Sequence, residues 1–137
     1  MLALCALLAL NTALASGTAV ATTSSERQGH AMVNRARASH GIYGLRLSSA
    51  LSKRAHRHSS RMAESGRLFH SCLTCSRARG TSASAENVGV GDTLKKIHAA
   101  LMNSSSHRRN ILSKQYRRVG VGVVRRSGRL WVTQLFA

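Results

Sequence analysis

The stretch "RRVGVGVVRRSGRLWVTQLF", residues 117–136, decides the fold class. Val119, Val121 and Val123 alternate with small or polar residues, the period of a strand with one buried face. Ser127–Gly128 interrupts the run with a turn signal, and "RLWVTQLF" supplies the return strand. The segment reads as an antiparallel hairpin. Gly120 and Gly122 let its first strand approach a packed neighbour, and Trp131 belongs to the core.

Upstream, the apolar period becomes helical. Leu51, Ala55, His58 and Met62 recur at spacings of 4, 3 and 4, with Ser48 or Ser49 to cap the start and Gly66 to end the helix. A helix is also expected from Gln28 to about Ser39, with Met32, Val33 and Ala36 on one side and Gly41 as its stop. Asn34 and Arg35 within it read as a backbone cap and a structural ion pair. "TTSSE", residues 22–26, reads as a flexible lead-in. "IYGLRLSS" is an extended connection. Asp92 or Thr93 can cap a third helix with the stripe Leu94, Ile97, Leu101 and Met102; "NSSS" ends it, and Ile111 and Leu112 re-anchor the chain. Helices first and a hairpin last make an α+β domain with helices packed on a sheet.

A chain of 137 residues with 43% hydrophobic content supports one globular domain. Its first 21 residues, uncharged and with an apolar run from Leu2 to Leu10, read as an export signal cleaved after Ala15 or Ala21. The run is shorter than the roughly 20 apolar residues of a membrane span. Residues 22–137 then form the domain, and the protein is expected to be secreted. Removal of the leader leaves Cys72 and Cys75 in "HSCLTC". In an exported chain this spacing reads as a small disulfide loop; in a reducing compartment it would read as half a zinc site or a redox pair.

Twenty-one Lys and Arg against four acids give a net charge of +17. That field attracts polyanions, anionic cell-envelope polymers among them, unless it reflects only a surface that is charged. Arg108, Arg109, Arg117, Arg118, Arg125, Arg126 and Arg129 cluster in sequence after His107. Nucleic acid is a poor fit, because five aromatic residues leave few stacking platforms and export removes the opportunity.

The order of these features resembles a known family. "VNRARASHGIYGLRLSSALSKRAHRHSSRMAESGRLFH", then "AENVGVG", then "LMNSSSHRRNILSKQYRRVGVGVV" and "WVTQLF" are similar to the bacterial branch of the CAP superfamily, the SCP-like domains. The resemblance runs from about Met32 to Phe136. It implies a three-layer α/β/α sandwich with a small antiparallel sheet, secretion, and a cleft where two histidines meet acidic residues. Carried onto this sequence, the first cleft histidine is His70, the acid of the family's "GEN" motif is Glu86, and the second histidine is His107. A second glutamate before the second histidine, present in many eukaryotic members, has no counterpart in "LMNSSS".

By this resemblance, His70 and His107 are the expected metal ligands. Two histidines and a carboxylate would make an open zinc site with water in the fourth position. The principal expectation is a secreted binding module. The alternative is a hydrolase of cell-wall or peptide substrates, with Glu86 as general base and a histidine to polarise a bond or pass a proton. His30, His40, His56, His58 and His98 read as solvated or packing residues.

Overall fold

The computed structural model describes residues 23–73 and 82–137. The leader assigned to residues 1–21 lies outside them, and so does Cys75 with its proposed bond to Cys72. In chain order the elements are α1 (Ser24–Ser39), β1 (Arg46–Leu47), α2 (Ser49–Ser65), β2 (Ala85–Gly91), α3 (Leu94–Asn103), α4 (Ser105–Leu112), β3 (Arg118–Arg126) and β4 (Arg129–Phe136).

The C-terminal hairpin is the centre of the sheet. β3 and β4 pair antiparallel from Val119↔Phe136 to Arg126↔Arg129. Ser127 and Gly128 both take positive φ, 50° and 75°, as a two-residue hairpin turn requires. β2 pairs antiparallel with β4, and the two-residue β1 joins β3 in parallel, giving the order β1-β3-β4-β2. β2 was not expected as a strand from the sequence, and it is the edge strand that carries Glu86.

Strand alternation sorts the side chains into two cores. Val119, Val121, Val123, Val132 and Phe136 face Val33 of α1, Ile97 and Leu101 of α3, and Ile111 of α4. Trp131 and Leu135 face the other way, onto Met62 and Leu51 of α2. The molecule is therefore helix, sheet and helix in three layers. α2 lies against β3 so closely that its hydroxyls bind the strand's backbone. Ser52 Oγ accepts from Val121 N at 3.1 Å, and Ser59 Oγ donates to the Gly122 carbonyl at 3.1 Å.

Two local expectations are corrected. Thr23 and Glu26 are not a flexible lead-in, because their side chains form a reciprocal capping box that starts α1 at Ser24. Glu26 is buried there and also reaches His56 Nδ1 of α2 at 3.0 Å. In the same helix Arg35 is exposed and forms no ion pair among the described residues. The structural arginine is Arg37, whose guanidinium donates to the carbonyls of Tyr43, Ile111 and Ser113 at 2.8 Å each.

On α3, His98 Nδ1 is buried with no hydrogen-bond partner among the described residues. Burial, and then the charge of Arg35, hold its pKa below the usual histidine value. A histidine depressed in the fold takes up its proton more readily when unfolded. Its contribution to stability is present above about pH 6.5 and is lost as pH falls through the lowered folded value. Thermal melts between pH 7.5 and about pH 5 should show falling stability, with a shallower fall in His98→Leu. Equal slopes for the two proteins would remove His98 from the effect.

Candidate functional site

The site begins where α2 ends. Gly66, at φ 65°, terminates the helix in the left-handed conformation and turns the chain back. Buried His58 then fixes the segment that follows. Its Nε2 lies 2.8 Å from the Phe69 carbonyl and its Nδ1 3.2 Å from Arg61 Nη2, so the ring donates through Nε2 and accepts at Nδ1. The Phe69 ring meets it edge-on at 5.1 Å. Leu68 and Phe69 remain 48% and 40% exposed, an apolar step immediately before His70.

His70 Nδ1 lies 2.9 Å from Glu86 Oε1, and the same oxygen accepts from Ser71 N at 2.7 Å. Glu86 Oε2 accepts from Ser71 Oγ in a short contact. The Glu86 side chain is 1% exposed, whereas that of His70 is 61% exposed. The carboxylate is thus spent behind the imidazole: it orients His70, whose Nε2 is left without a partner among the described residues.

His107 arrives from the other side of the same strand. Asn87, next to Glu86, points to the opposite face of β2, where its Nδ2 donates to the His107 carbonyl at 3.1 Å and to Gln134 Oε1 at 3.2 Å. Asn110 Nδ2 closes the network on Asn87 Oδ1 at 2.9 Å. These amides pin α4 to the sheet edge. The "NSSS" segment expected as a turn is the junction of two helices, in which Ser104 ends α3 and precedes α4. The Ser104 side chain makes no cap bond to the backbone of α4. Its Oγ instead lies 2.9 Å from His107 Nδ1, which leaves His107 Nε2 without a partner among the described residues. Burial, and then the charge of His70, hold the His107 pKa below the usual histidine value.

The model of the cysteine-rich secretory protein family matches residues 30–136. This chain belongs to the CAP family. Its CAP domain is 31% identical over 112 residues to the uncharacterized protein YkwD of Bacillus subtilis, a match covering 75% of this chain and 43% of that relative. The chain therefore spans less than half the length of this curated relative. Among solved structures, an outer surface protein from Borrelia burgdorferi superposes with a TM-score of 0.71 at 15% identity, over 85% of this chain and 95% of the other. An extracellular protein containing an SCP domain from Bacillus anthracis gives 0.62 at 22% identity, over 82% and 39%. Schistosoma mansoni venom allergen-like protein 4 gives 0.66 at 8% identity, over 84% and 88%. At these identities the likeness is one of fold.

Within this CAP domain the expected trio divides unequally. His70 and Glu86 are joined directly, and His107 approaches from α4. Among the described residues no three His, Cys, Asp or Glu side chains are grouped to hold a metal ion. Two imidazole nitrogens fall short of the four protein ligands of a closed structural zinc site. Glu86 is buried and holds His70 and Ser71 through its two oxygens, so its role in this arrangement is to orient His70. The arginine cluster also divides. Arg118 and Arg126 stand at opposite ends of β3, about 27 Å apart at the usual strand rise, so these arginines do not form one rim beside His107.

His58, Ser71, Asn87, Ser104 and Asn110 were not assigned to the site from the sequence. Asn87 follows Glu86 directly and Asn110 lies three residues beyond His107, so reading 105–112 as a helix would have brought Asn110 to the histidine's side.

Proposed function

We propose that this CAP domain is an extracellular binding module that takes its ligand at His70 and His107, with a zinc ion held by the two Nε2 atoms. The observation that carries the reading is that both imidazoles are tied through Nδ1, one to Glu86 and one to Ser104, which leaves Nε2 of each ring without a partner among the described residues and open to a ligand. Bound zinc would supply a Lewis-acidic centre with coordination positions left for an oxygen or nitrogen of the ligand. The protein's own part is to orient the two rings, while exposed Leu68 and Phe69 offer an apolar surface beside His70. The export leader read in the sequence and the resemblance to extracellular and outer-surface proteins support a location outside the cell. Anionic envelope polymer is the partner that suits the charge of +17. The burial of Glu86 behind His70 and Ser71 favours binding over hydrolysis, since a general base must reach a substrate proton.

Calorimetric zinc titration of the protein should give one site, lost in both His70→Ala and His107→Ala. Glu86→Gln should weaken it by about 10–100-fold without removing it, as expected for a group that orients a ligand. Zinc binding unchanged in both histidine variants would refute the metal site.

A further inference from the structure

A cavity of about 490 Å³ lies on the outer side of α2 and the segment that follows it, lined by Arg54, Arg57, Ser60, Arg61, Glu64 and Ser71 among others. Positions 54, 57 and 61 are spaced i, i+3 and i+7, which stacks three guanidinium groups along one stripe of the helix. Like charges at those spacings repel, and Glu64 is the carboxylate that faces them in the cavity. Among the described residues neither Arg57 nor Arg61 forms an ion pair, so the stripe keeps its charge. Two of the three heads are held in place. Arg54, buried to 8% exposure, donates through Nη2 to the carbonyls of Cys72 at 2.8 Å and Leu73 at 3.2 Å, and Arg61 Nη2 contacts His58 Nδ1 at 3.2 Å.

The hydroxyls of the wall do not compete as donors. Ser60 Oγ donates to the His56 carbonyl and Ser71 Oγ donates to Glu86. Donors for a ligand therefore come from guanidinium groups, whose forked N–H geometry matches a tetrahedral oxyanion. We infer that this cavity is an anion site that takes the phosphate group of a phosphorylated polyol. Three arginines against one glutamate leave two positive charges, which suit a phosphate, and Glu64 provides an acceptor for a neighbouring hydroxyl. The volume accommodates the phosphate together with its organic substituent. The site uses neither His70 nor His107 and stands independently of zinc.

Glycerol 3-phosphate and a poly(glycerol phosphate) chain are titrated in parallel into the protein, followed by calorimetry and by the arginine side-chain NMR signals. Saturable binding of either is expected, weakened about tenfold or more in the double variant Arg57→Gln/Arg61→Gln. Binding of glycerol 3-phosphate assigns a free ester, and binding of the chain alone assigns a polymer. The double variant Arg125→Gln/Arg126→Gln removes equal charge at the hairpin end and should leave the affinity within about twofold. Equal weakening by the two double variants, or titrations of both probes that never saturate, would overturn the assignment in favour of diffuse attraction.

Discussion

Gly122→Ala lowers the melting temperature by about 10 °C or more, or prevents folding altogether. A Cβ at this position would lie 2.2 Å from the Ala55 carbonyl carbon and 2.2 Å from His56 N. Both are backbone atoms of α2, so no side-chain rotation relieves the overlap, and the helix must lift from β3. Lifting it also breaks the Ser59 contacts to the Gly122 carbonyl and to Thr133 Oγ1 at 2.9 Å. Overpacking costs typically about 1–3 kcal/mol, and a backbone obstacle puts this variant at or above the upper end. Gly89→Ala is the informative contrast. Its Cβ would meet Ile97 Cγ2 at 2.7 Å, the end of a side chain that can move, and a loss of about 1 kcal/mol is expected. Thermal melts of the two variants side by side decide the matter; equal losses would show that the approach of α2 to β3 is not the constraint described.

Arg37→Met should destabilise the domain by about 2–4 kcal/mol although it roughly preserves side-chain volume. Arg37 is buried on α1 and holds three carbonyls, those of Tyr43, Ile111 and Ser113, from two separate parts of the chain. Ile111 is in the last turn of α4, whose terminal carbonyls have no partner within the helix. Burial and the nearby Arg117 depress the Arg37 pKa, so the charge is itself held at some cost. Methionine relieves that cost but leaves three carbonyls without a donor, and the second effect outweighs the first. Hydrogen exchange should accelerate around residues 111–117, whereas Arg35→Met, at an exposed position two residues earlier on the same helix, should stay within about 0.5 kcal/mol of the parent. A stable Arg37→Met protein with unchanged exchange would refute the staple.

The hairpin and α2 were legible in the sequence because their signals are local. Alternating valines, a Ser-Gly turn and a 4-3-4 apolar stripe each follow from neighbouring residues, and the observed ends at Ser48, Gly66 and Ser127–Gly128 agree with them. α1 begins earlier than its apolar pattern suggests, since Thr23 and Glu26 form a capping box inside a segment whose polarity alone reads as a loose lead-in. α4 was hidden for a related reason: three serines look like a break, and they become a helix start only once Asn87 and Asn110 dock it on β2. Arg37 was illegible because its partners are backbone carbonyls up to 76 residues away. Within the site, the residue types were readable through the family resemblance, but the assignment of Glu86 to orienting His70 needed the Ser71 contacts, which no spacing reports.

The most direct test of the binding site reads the imidazole nitrogens of His70 and His107 by long-range proton–nitrogen NMR during zinc addition. His70 should be protonated at Nδ1 before metal is added, and one equivalent of zinc should shift the Nε2 signals of both rings together while Nδ1 of His70 stays protonated. Zinc shifts confined to one ring, absent from both, or appearing at Nδ1 would contradict zinc binding by the two Nε2 atoms.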